Sequence, residues 1–354
     1  MKLVYVLGNG QLGRMLRQAG EQLGVMVYPI EPNMDPKKLL ISQCVMTSEI
    51  EKWPKTALTN MLSKHHAFIN HKIYPILTDR LTQKQLLNQL GIRTTTWQLL
   101  SSPAQWKQIF SSFGNIVIVK YRTGGYNGKG QWRICSDIKH ILPNICYGRS
   151  IVEKIVHFSN EISLIGARGY DGRTVFYPLT YNFHQNGILR VSAVLPDHHI
   201  QQKKAEKMLS MIMHELNYIG VMAMECFIVS EDLLINELAP RVHNSGHWTQ
   251  NAASISQFEL HLRAILKLPL PAPVIHMPAV MLNLIGIHAN MKWLSDPHVC
   301  LHWYDKKVYD GRKVGHLNVV DVNKIAISKA LHTLIPLLPS EYMRGITWAQ
   351  EKLD

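Results

Sequence analysis

The sequence predicts an α/β protein, and three patterns carry that prediction. Near the N-terminus the apolar run LVYVL leads through GNGQLG into RMLRQAGEQLG, the order of a strand, a glycine turn and a helix. Short strands separated by turn residues follow between about 111 and 182. Between Val221 and Ala239 the residues alternate as in two strands joined by a short turn. Strand–helix units and hairpins in one chain indicate a mixed α/β architecture.

Composition places the chain among ordinary globular proteins. Its 354 residues are enough for two or three domains, and 46% of them are hydrophobic and 18% charged. The five cysteines are scattered without a CxxC pair, which favours a reducing compartment over a disulfide scaffold or a zinc site. The first apolar segment is too short for a signal peptide, and no apolar run is long enough for a bilayer. We therefore expect a cytoplasmic protein with no membrane partner.

The formal net charge of +13 raises the question of a polyanion ligand. The basic residues are dispersed and cluster only in short pairs such as Lys37-Lys38 and Arg312-Lys313. There is no basic tail and no RNA-binding signature. Small phosphorylated substrates fit this pattern better than a nucleic acid, and we expect no nucleic-acid partner.

The first glycine loop has two functional interpretations. Gly8, Gly10 and Gly13 form a GxGxxG between a predicted strand and helix, and the acidic Glu31 follows 31 − 13 = 18 positions later. This is the form of a dinucleotide fingerprint, so an NAD-dependent dehydrogenase remains an alternative. A helix N-terminus also binds a single phosphate, and Gln11 suits that role. We prefer a substrate phosphate, with a purely structural turn as the third interpretation.

Helix and loop signals divide the chain into three domains. A helix is predicted from Thr78 or Asp79 to Gly91, which places a boundary near 80. The Asn186-Gly187 pair predicts a hairpin, and a proline-rich connector spans 269–278. The helix QQKKAEKMLSMIMHEL presents apolar residues at helical spacing, and the methionines among them, Met208 and Met213, are expected in the core. The predicted domains are residues 1–80, 81–270 with a lid over about 111–182, and 271–354.

Two glutamates in the Val221–Ala239 segment are predicted to face each other. A three-residue turn at 230–232 pairs Val229 with Leu233, and this register sets Glu225 opposite Glu237 with Cβ atoms about 5 Å apart. Facing like charges destabilise a sheet unless a cation lies between them or one is protonated. Carboxylates on rigid strands suit Mg²⁺ presented with a nucleotide phosphate, and an edge hairpin with solvated glutamates is the alternative. The apolar residues expected on the same face are Ala223, Phe227, Leu233 and Ile235.

Two polar stretches extend this candidate site. Arg241, His243, Asn244 and His247 follow the second glutamate directly, so a metal site and an anion site could share one wall. Lys120 ends an apolar strand and is followed by TGGYNGKGQ, whose glycines allow a mobile backbone to close over phosphates. This second loop is not a Walker loop, because no Ser/Thr and no helix follow its GK. A flexible hairpin tip is the alternative.

These motifs together resemble the ATP-grasp enzymes, and within them the family of N5-carboxyaminoimidazole ribonucleotide synthetases. The similarity spans nearly the whole chain in the family's order, and the stretch NELAPRVHNSGHW is its most specific part. The matching blocks are GNGQLGRM at 8–15, DRLTQK at 79–84, VK with TGGYNGKGQ at 119–131, MECF at 224–227, INELAPRVHNSGHWT at 235–249 and GRKVGHLN at 311–318.

The resemblance implies an ATP-grasp fold with an N-terminal Rossmann-like domain, a lid, a central mixed or antiparallel sheet and a small C-terminal domain. ATP is expected between the lid and the central sheet, with Mg²⁺ bridging Glu225 and Glu237. Arg80 and Lys120 suit phosphates, and Glu161 suits ribose hydroxyls. The implied ATP contacts are Arg80, Lys120, Gly125, Tyr126, Asn127, Gly128, Lys129, Gly130, Gln131, Glu153, Lys154, Ile155, Val156, Glu161, His184, Asn236 and Glu237.

The resemblance also implies a reaction and a homodimer. Bicarbonate would attack the γ-phosphate of ATP, and the resulting carboxyphosphate would pass CO₂ to the amine of 5-aminoimidazole ribonucleotide. Arg241 and His243 are the expected bicarbonate residues, with His243 as the candidate proton acceptor. A sibling ATP-grasp ligase, such as a formate-activating ribonucleotide transformylase, is the nearest alternative. The expected substrate-binding residues are Gly10, Gln11, Leu12, Tyr126, Asn127, Lys306, Arg312 and Lys313.

The chain departs from the family pattern at two places. The lid usually reads Tyr-Asp-Gly, where this chain has Tyr126-Asn127-Gly128. Arg-Pro usually precedes the GRK motif, where this chain has Tyr309-Asp310. The first departure concerns the orientation of the substrate, and the second concerns the affinity for its phosphate.

The lid departure leads to a prediction. Hydrogen bonds to an ionised partner are about twice as strong as neutral ones, and the net difference for one contact is about 1 kcal/mol. We therefore expect Asn127→Asp to raise kcat/KM for the ribonucleotide several-fold and to leave the KM for ATP nearly unchanged. Steady-state kinetics with each substrate varied in turn measure both values. A neutral result, or a gain confined to ATP, would contradict the predicted contact.

Overall fold

The computed structural model describes residues 2–125, 130–137, 143–195 and 200–353. The strands are β1 (Leu3–Leu7), β2 (Met26–Ile30), β3 (Cys44–Ser48), β4 (Trp97–Leu100), β5 (Ile116–Tyr121), β6 (Gln131–Cys135), β7 (Ser150–Lys154), β8 (Asn160–Arg168), β9 (Thr174–Phe176), β10 (Thr180–Gln185), β11 (Ile188–Val194), β12 (Gly220–Val229), β13 (Asp232–Ala239), β14 (Ala279–Ile285), β15 (Val299–Trp303) and β16 (Lys313–Val320). The helices are α1 (Gln11–Gln22), α2 (Ala57–Leu62), α3 (Tyr74–Leu77), α4 (Arg80–Gln89), α5 (Trp106–Phe113), α6 (Gln202–Glu215), α7 (Thr249–Ala252), α8 (Gln257–Ile265), α9 (Lys324–Leu334) and α10 (Met343–Leu353).

The N-terminal part is a parallel sheet in the order β2-β1-β3, with α1 connecting the first two strands. The predicted strand, glycine turn and helix at its start are confirmed. Because parallel strands end at the same edge, the turn after β1 and the residues after β3 come together there. This edge therefore carries the first glycine loop.

The central sheet has the order β13-β12-β8-β10-β11-β14-β16-β15 in the described residues, with β9 beside β8. Its C-terminal strands join through β11 and β14, which pair antiparallel across the predicted boundary at 270. The division into three domains stays a prediction, but the predicted last domain shares this sheet.

A separate antiparallel sheet, called the lid sheet below, has the order β4-β7-β5-β6. It begins at Trp97 and ends at Lys154. The range of 111–182 predicted for the lid therefore spans two sheets, because β8 and β10 pair within the central sheet. The two sheets meet where β7 and β13 approach each other, and the predicted nucleotide residues lie on both.

The β12–β13 hairpin has the predicted glutamate pair but not the predicted turn. Val229 pairs with Asp232, so the turn has two residues instead of three. A β-bulge then adds one residue on β13 between Ile235 and Glu237, and this restores the pairing of Glu225 with Glu237. The prediction that Leu233 and Ile235 share the face of Glu237 is wrong. Both pack in the core on the other face of the hairpin, because the bulge moves Glu237 to the opposite side.

Two helices and one turn follow the sequence closely. Asp79 caps α4 by accepting a hydrogen bond from the Leu81 N–H, and Gly91 after its end has φ of +65°. The apolar side of α6 packs in the core with the predicted methionines. Asn186 and Gly187 form the tight turn between β10 and β11, both with positive φ. No helix in the described part of the chain is long and apolar enough to cross a membrane.

Candidate active site

Glu225 and Glu237 lie opposite each other on the face of the central sheet that the lid sheet covers. Burial, with Glu237 and Glu161 nearby, raises the pKa of Glu225, although His184 opposes this. Glu237 differs because the Arg80 guanidinium binds its carboxylate at 3.2 Å. Against the effect of burial, Arg80 and Lys120 hold the pKa of Glu237 below its ordinary value. The two carboxylates therefore have opposite pKa shifts, because Arg80 binds Glu237 whereas Glu225 has no such cation against it.

Two cations adjoin this pair on the lid side. Arg80 begins α4 and also donates to the Tyr121 carbonyl oxygen at 3.0 Å. Lys120, near the end of β5, contacts the Glu153 carboxylate at 2.6 Å and donates to Asn236 Oδ1 at 3.0 Å. Asn236 is the extra residue of the bulge, so it and Glu237 are consecutive and both face the site. This arrangement brings together cations suited to phosphates and carboxylates suited to a metal.

Two further ATP candidates lie on neighbouring strands of the central sheet. The His184 ring on β10 contacts the Glu161 carboxylate on β8, and together with Asn236 and Glu225 they line one small cavity. Although burial lowers the pKa of His184, Glu161 and Glu225 raise it overall.

A wider cleft of about 760 Å³ lies beside this cavity, at the junction of the lid sheet and the β12–β13 hairpin. Lys154, Ile155 and Val156 line it together with Leu234 of β13. Its lining mixes apolar side chains with polar ones, and a cleft of this size suits a nucleoside. Residues 154–156, which are among the predicted ATP contacts, therefore border a space large enough for the adenine base.

The predicted bicarbonate residues lie at the other end of the glutamate pair. Arg241 contacts the Glu51 carboxylate at 2.7 Å and donates to the Val242 carbonyl at 3.0 Å. A guanidinium has five N–H groups, so it retains donors for an anion. The His243 Nε2 lies 3.5 Å from the Glu225 carboxylate, and its Nδ1 accepts a hydrogen bond from the Ser245 N–H. Burial, with Arg241 and Lys313 nearby, lowers the pKa of His243 well below its ordinary value. The neutral ring therefore presents an Nε2–H to the site.

The other polar residues of this stretch have structural partners. Asn244 exchanges hydrogen bonds with Asn283, and His247 is buried against Phe258. Gln257 holds the backbone of His243 from both sides, accepting from its N–H at 2.8 Å and donating to its carbonyl at 2.6 Å. Hydrogen bonds to the backbone thus fix this stretch, while the side chains of Arg241 and His243 lie against Glu51 and Glu225.

Two of the predicted substrate-binding residues, one near each terminus of the chain, lie in contact. Lys306 Nζ donates to Gln11 Oε1, although 295 positions separate them. Two N–H groups of the first glycine loop are occupied, because the Glu49 carboxylate accepts from Gly10 N and, at 2.6 Å, from Gly13 N. Leu12 packs in the core, so its side chain faces away from this end. An anion of the chain itself therefore occupies the helix N-terminus where a phosphate was predicted.

The GRK motif lies close by on the loop that leads into β16. The Arg312 guanidinium lies 4.8 Å from the centre of the Tyr309 ring. Tyr309, which stands where the family usually has Arg, therefore contacts a predicted substrate-binding residue directly. Burial lowers the pKa of Lys313 to about 8, although Glu225 opposes this. Lys313 therefore stands within electrostatic reach of the glutamate pair.

The second glycine loop is described at its two ends. Gly125 and Gly130 flank it, and Gln131 pairs with Lys120. The Gly130 carbonyl accepts from Tyr121 N at 2.8 Å. The predictions for Tyr126, Asn127, Gly128 and Lys129 lie outside the described residues.

Comparisons with known proteins agree with this geometry. A family model for the ATP-grasp domain matches residues 85–258, and one for the phosphoribosylaminoimidazole carboxylase C-terminal domain matches residues 279–330. The chain is 59% identical over 353 residues to the N5-carboxyaminoimidazole ribonucleotide synthase of Escherichia coli, with 99% of each protein covered. This chain belongs to the N5-carboxyaminoimidazole ribonucleotide synthase family. It is also 52% identical to the Haemophilus influenzae protein of that name, with 99% of this chain and 97% of the relative covered.

Solved structures of this family show the same fold. The Thermus thermophilus synthetase superposes with a TM-score of 0.85 at 33% identity, covering 95% of this chain and 98% of the other. An Aspergillus clavatus synthase in complex with ADP and 5-aminoimidazole ribonucleotide gives 0.83 at 26% identity, covering 95% and 98%. The α/β ATP-grasp fold expected for this chain is thereby confirmed.

Sequence reasoning missed Glu49, Glu51 and Lys84. Glu49 and Glu51 follow β3 at the edge of the parallel sheet where β1 and the glycine loop also end. Acidic residues at that edge were the available signal, since ligands of parallel sheets bind outside the carboxyl ends of strands. Lys84 had no such signal, because a lysine at mid-helix is ordinarily on the surface.

The raised pKa of Glu225 leads to a stability prediction. The unfolded carboxyl ionises near 4.5, and the folded one at higher pH, so the folded state binds this proton more strongly. Stability associated with Glu225 is therefore present at low pH and is lost as the pH rises through the folded pKa. Without nucleotide or metal, we expect Glu225→Gln to stabilise the chain at pH 8 and to do so less at pH 5.

Urea unfolding at the two pH values measures this difference. Glu231→Gln, in the exposed turn of the same hairpin, is the matched control, and the change for Glu225→Gln is measured relative to it. A gain from Glu225→Gln that is equal at both pH values, or larger at pH 5, would contradict the assignment.

Proposed function

We propose that this chain carboxylates 5-aminoimidazole ribonucleotide with bicarbonate and ATP, giving N5-carboxyaminoimidazole ribonucleotide, ADP and phosphate. One observation carries the proposal. The Glu225–Glu237 pair lies between phosphate-suited cations, Arg80 and Lys120, and anion-suited groups, Arg241 and His243. The family to which the chain belongs adds the identity of the substrates.

The nucleotide is proposed to lie between the lid sheet and the central sheet. The base enters the cleft beside Ile155 and Val156, and Glu161 accepts from the ribose hydroxyls. Arg80 and Lys120 bind the phosphates and stabilise the negative charge that spreads over the transferring phosphoryl group. The second glycine loop, residues 125–131, is proposed to complete the phosphate contacts.

The glutamate pair fits Mg²⁺. Their carboxylates face each other across one β-ladder, and among the ion pairs of the described residues only the neutral His243 ring lies against Glu225. Oxygen ligands from two carboxylates, completed by phosphate oxygens and water, are those that Mg²⁺ prefers. Glu225 and Glu237 are proposed to hold the ion, which would supply charge neutralisation to the phosphates.

Bicarbonate is proposed to bind between Arg241 and His243. The Arg241 guanidinium neutralises the anion through the N–H groups that do not bind Glu51 or the Val242 carbonyl. The His243 Nε2–H donates to one oxygen of the anion. An oxygen of bicarbonate attacks the γ-phosphorus, the bond to ADP breaks, and carboxyphosphate forms. His243 is therefore a donor in the resting state, and its role as a proton acceptor would require loss of the Nε2 proton to a neighbouring base.

The ribonucleotide is proposed to bind where the two ends of the chain meet. Lys306, Arg312 and Lys313 supply positive charge for its 5′-phosphate, and Gln11 is the polar group of the first glycine loop that faces Lys306. The same loop disfavours a dehydrogenase, because Glu49 fills the position where the pyrophosphate of a dinucleotide would accept hydrogen bonds. A homodimer and a cytoplasmic location, with Mg²⁺ as the metal, complete the proposal.

A phosphate-release assay tests the proposed function. The full chain is incubated with ATP, Mg²⁺, bicarbonate and 5-aminoimidazole ribonucleotide, and each component is omitted in turn. We expect full phosphate release only with all four present. Release that proceeds equally without the ribonucleotide or without bicarbonate would contradict the proposal, and release that requires formate instead would favour the transformylase alternative.

A variant in the same assay tests the carboxylate pair. We expect Glu237→Gln to lower turnover at least about 10²-fold, the scale of losing one preorganised electrostatic group. The fold should survive, because the amide oxygen still accepts from Arg80. Circular dichroism and the unfolding temperature provide the control, and unchanged turnover in a folded variant would contradict the metal assignment.

A further inference from the structure

Lys84 is a buried cation to which the mechanism above gives no role. It lies on α4, and only 1% of its side chain is exposed. Four oxygen atoms surround its ammonium group: the Thr94 hydroxyl at 2.6 Å, the Thr95 hydroxyl at 2.8 Å, Glu153 Oε1 at 3.0 Å and the Asn236 carbonyl at 3.3 Å. A lysine is rarely buried to this extent unless it is paired.

The Glu153 carboxylate, which the resemblance implies to be an ATP contact, is only 4% exposed and is shared by two lysines, so it acts on the site through Lys120 and does not itself meet the nucleotide. Lys84 lies against its Oε1, and Lys120 lies against its Oε2 at 2.6 Å. Against the effect of burial, Lys120 and Lys84 lower the pKa of Glu153 to about 2, so the carboxylate is ionised. Burial lowers the pKa of Lys84, and Glu153 opposes this. With both lysines protonated, the three groups together carry one net positive charge.

The hydrogen atoms of Lys120 are limited in number. An ammonium has three, and Lys120 directs one to Glu153 and one to Asn236 Oδ1. The third remains for a nucleotide phosphate. If Lys84 were removed, Lys120 would be the only lysine in this cluster left to neutralise the buried carboxylate, and it would be drawn towards Glu153.

Lys84 also acts on the bulge. It donates to the carbonyl of Asn236, whose side chain binds Lys120. The two lysines therefore hold opposite ends of the one residue that sets Glu237 on the site face. The contacts of Lys84 join α4, the 94–95 segment, β7 and β13, which is where the lid sheet meets the central sheet.

We infer that Lys84 is a positioning residue of the nucleotide site, which neutralises Glu153 and fixes Asn236 so that Lys120 is free to bind a phosphate of ATP. This inference rests on the proposed function, because it assumes that Lys120 meets that phosphate. Lys84 itself touches neither the nucleotide nor the reacting atoms.

Binding of ATP and of adenosine to the full chain, with Mg²⁺ present, tests the inference by calorimetric titration. Lys84→Met should weaken ATP about tenfold, the effect of one charge-assisted contact, and leave adenosine unchanged because it has no phosphate. In Lys84→Met/Glu153→Gln the buried anion is also gone, so Lys120 is released and ATP affinity should return to within about threefold of the original. A general loss of structure would not give this recovery.

Arg168→Met is the matched control. Arg168 is also a buried cation, 8% exposed, but it lies at the end of β8 away from the site and donates to the Tyr218 carbonyl. This variant should lose stability but keep its affinity for ATP. If Lys84→Met does not fold, Thr95→Val replaces it, because it removes one hydroxyl that holds the ammonium; ATP should then weaken about threefold.

Three results would overturn the inference. The first is unchanged ATP affinity in the folded Lys84 or Thr95 variant. The second is an equal loss of ATP and adenosine affinity. The third is a loss of ATP affinity that Glu153→Gln does not restore. Failure of the proposed ATP site is distinguishable, since the original chain would then bind ATP no better than adenosine, whereas a different acceptor substrate would appear only in the phosphate-release assay.

Discussion

The site depends on one irregularity in one hairpin. A two-residue turn alone would place Glu237 on the core face of β13, because successive side chains alternate across a strand. The bulge at Asn236 inserts the residue that returns Glu237 to the face of Glu225. It also makes Asn236 and Glu237 neighbours on that face, so one short segment meets Lys120, Arg80 and the opposite carboxylate.

The charges around the hairpin explain why two facing carboxylates are tolerated. Arg80 neutralises Glu237, whereas Glu225 is held near a neutral histidine with a raised pKa. Arg80 therefore offsets part of the repulsion between the two carboxylates, and a cation arriving with the nucleotide would favour the ionised form of Glu225. A cation bound by both glutamates would remove their mutual repulsion, and this favours binding of a metal together with its phosphates.

The glutamate pair was predictable from the sequence, but the reason for it was not. Two errors cancelled: the turn has one residue fewer than expected, and β13 has one residue more. The error remains visible in Leu233 and Ile235, which lie in the core instead of the site. Turn length cannot be read from Ser230-Glu231-Asp232, since those residues suit turns of either length.

Local signals were reliable where one element decided the outcome, as at the Asp79 cap and the Asn186-Gly187 turn. Contacts between distant elements were not accessible in this way. Nothing in the spacing of Gln11 and Lys306, or of Lys84 and Glu153, indicates that they meet. The family resemblance predicts which residues belong to the site, whereas the structure shows which of them are bonded to one another.

The central claim is that Glu225 and Glu237 together bind the metal that accompanies ATP. A crystal structure of the chain with Mn²⁺ and a non-hydrolysable ATP analogue, with the metal located by its anomalous scattering, tests this most directly. The account predicts one Mn²⁺ with an oxygen of each carboxylate within about 2.0–2.3 Å, in the range of hard divalent cations, and with phosphate oxygens completing its coordination. Mn²⁺ bound to the phosphates without either glutamate, or at a site remote from the β12–β13 hairpin, would contradict it.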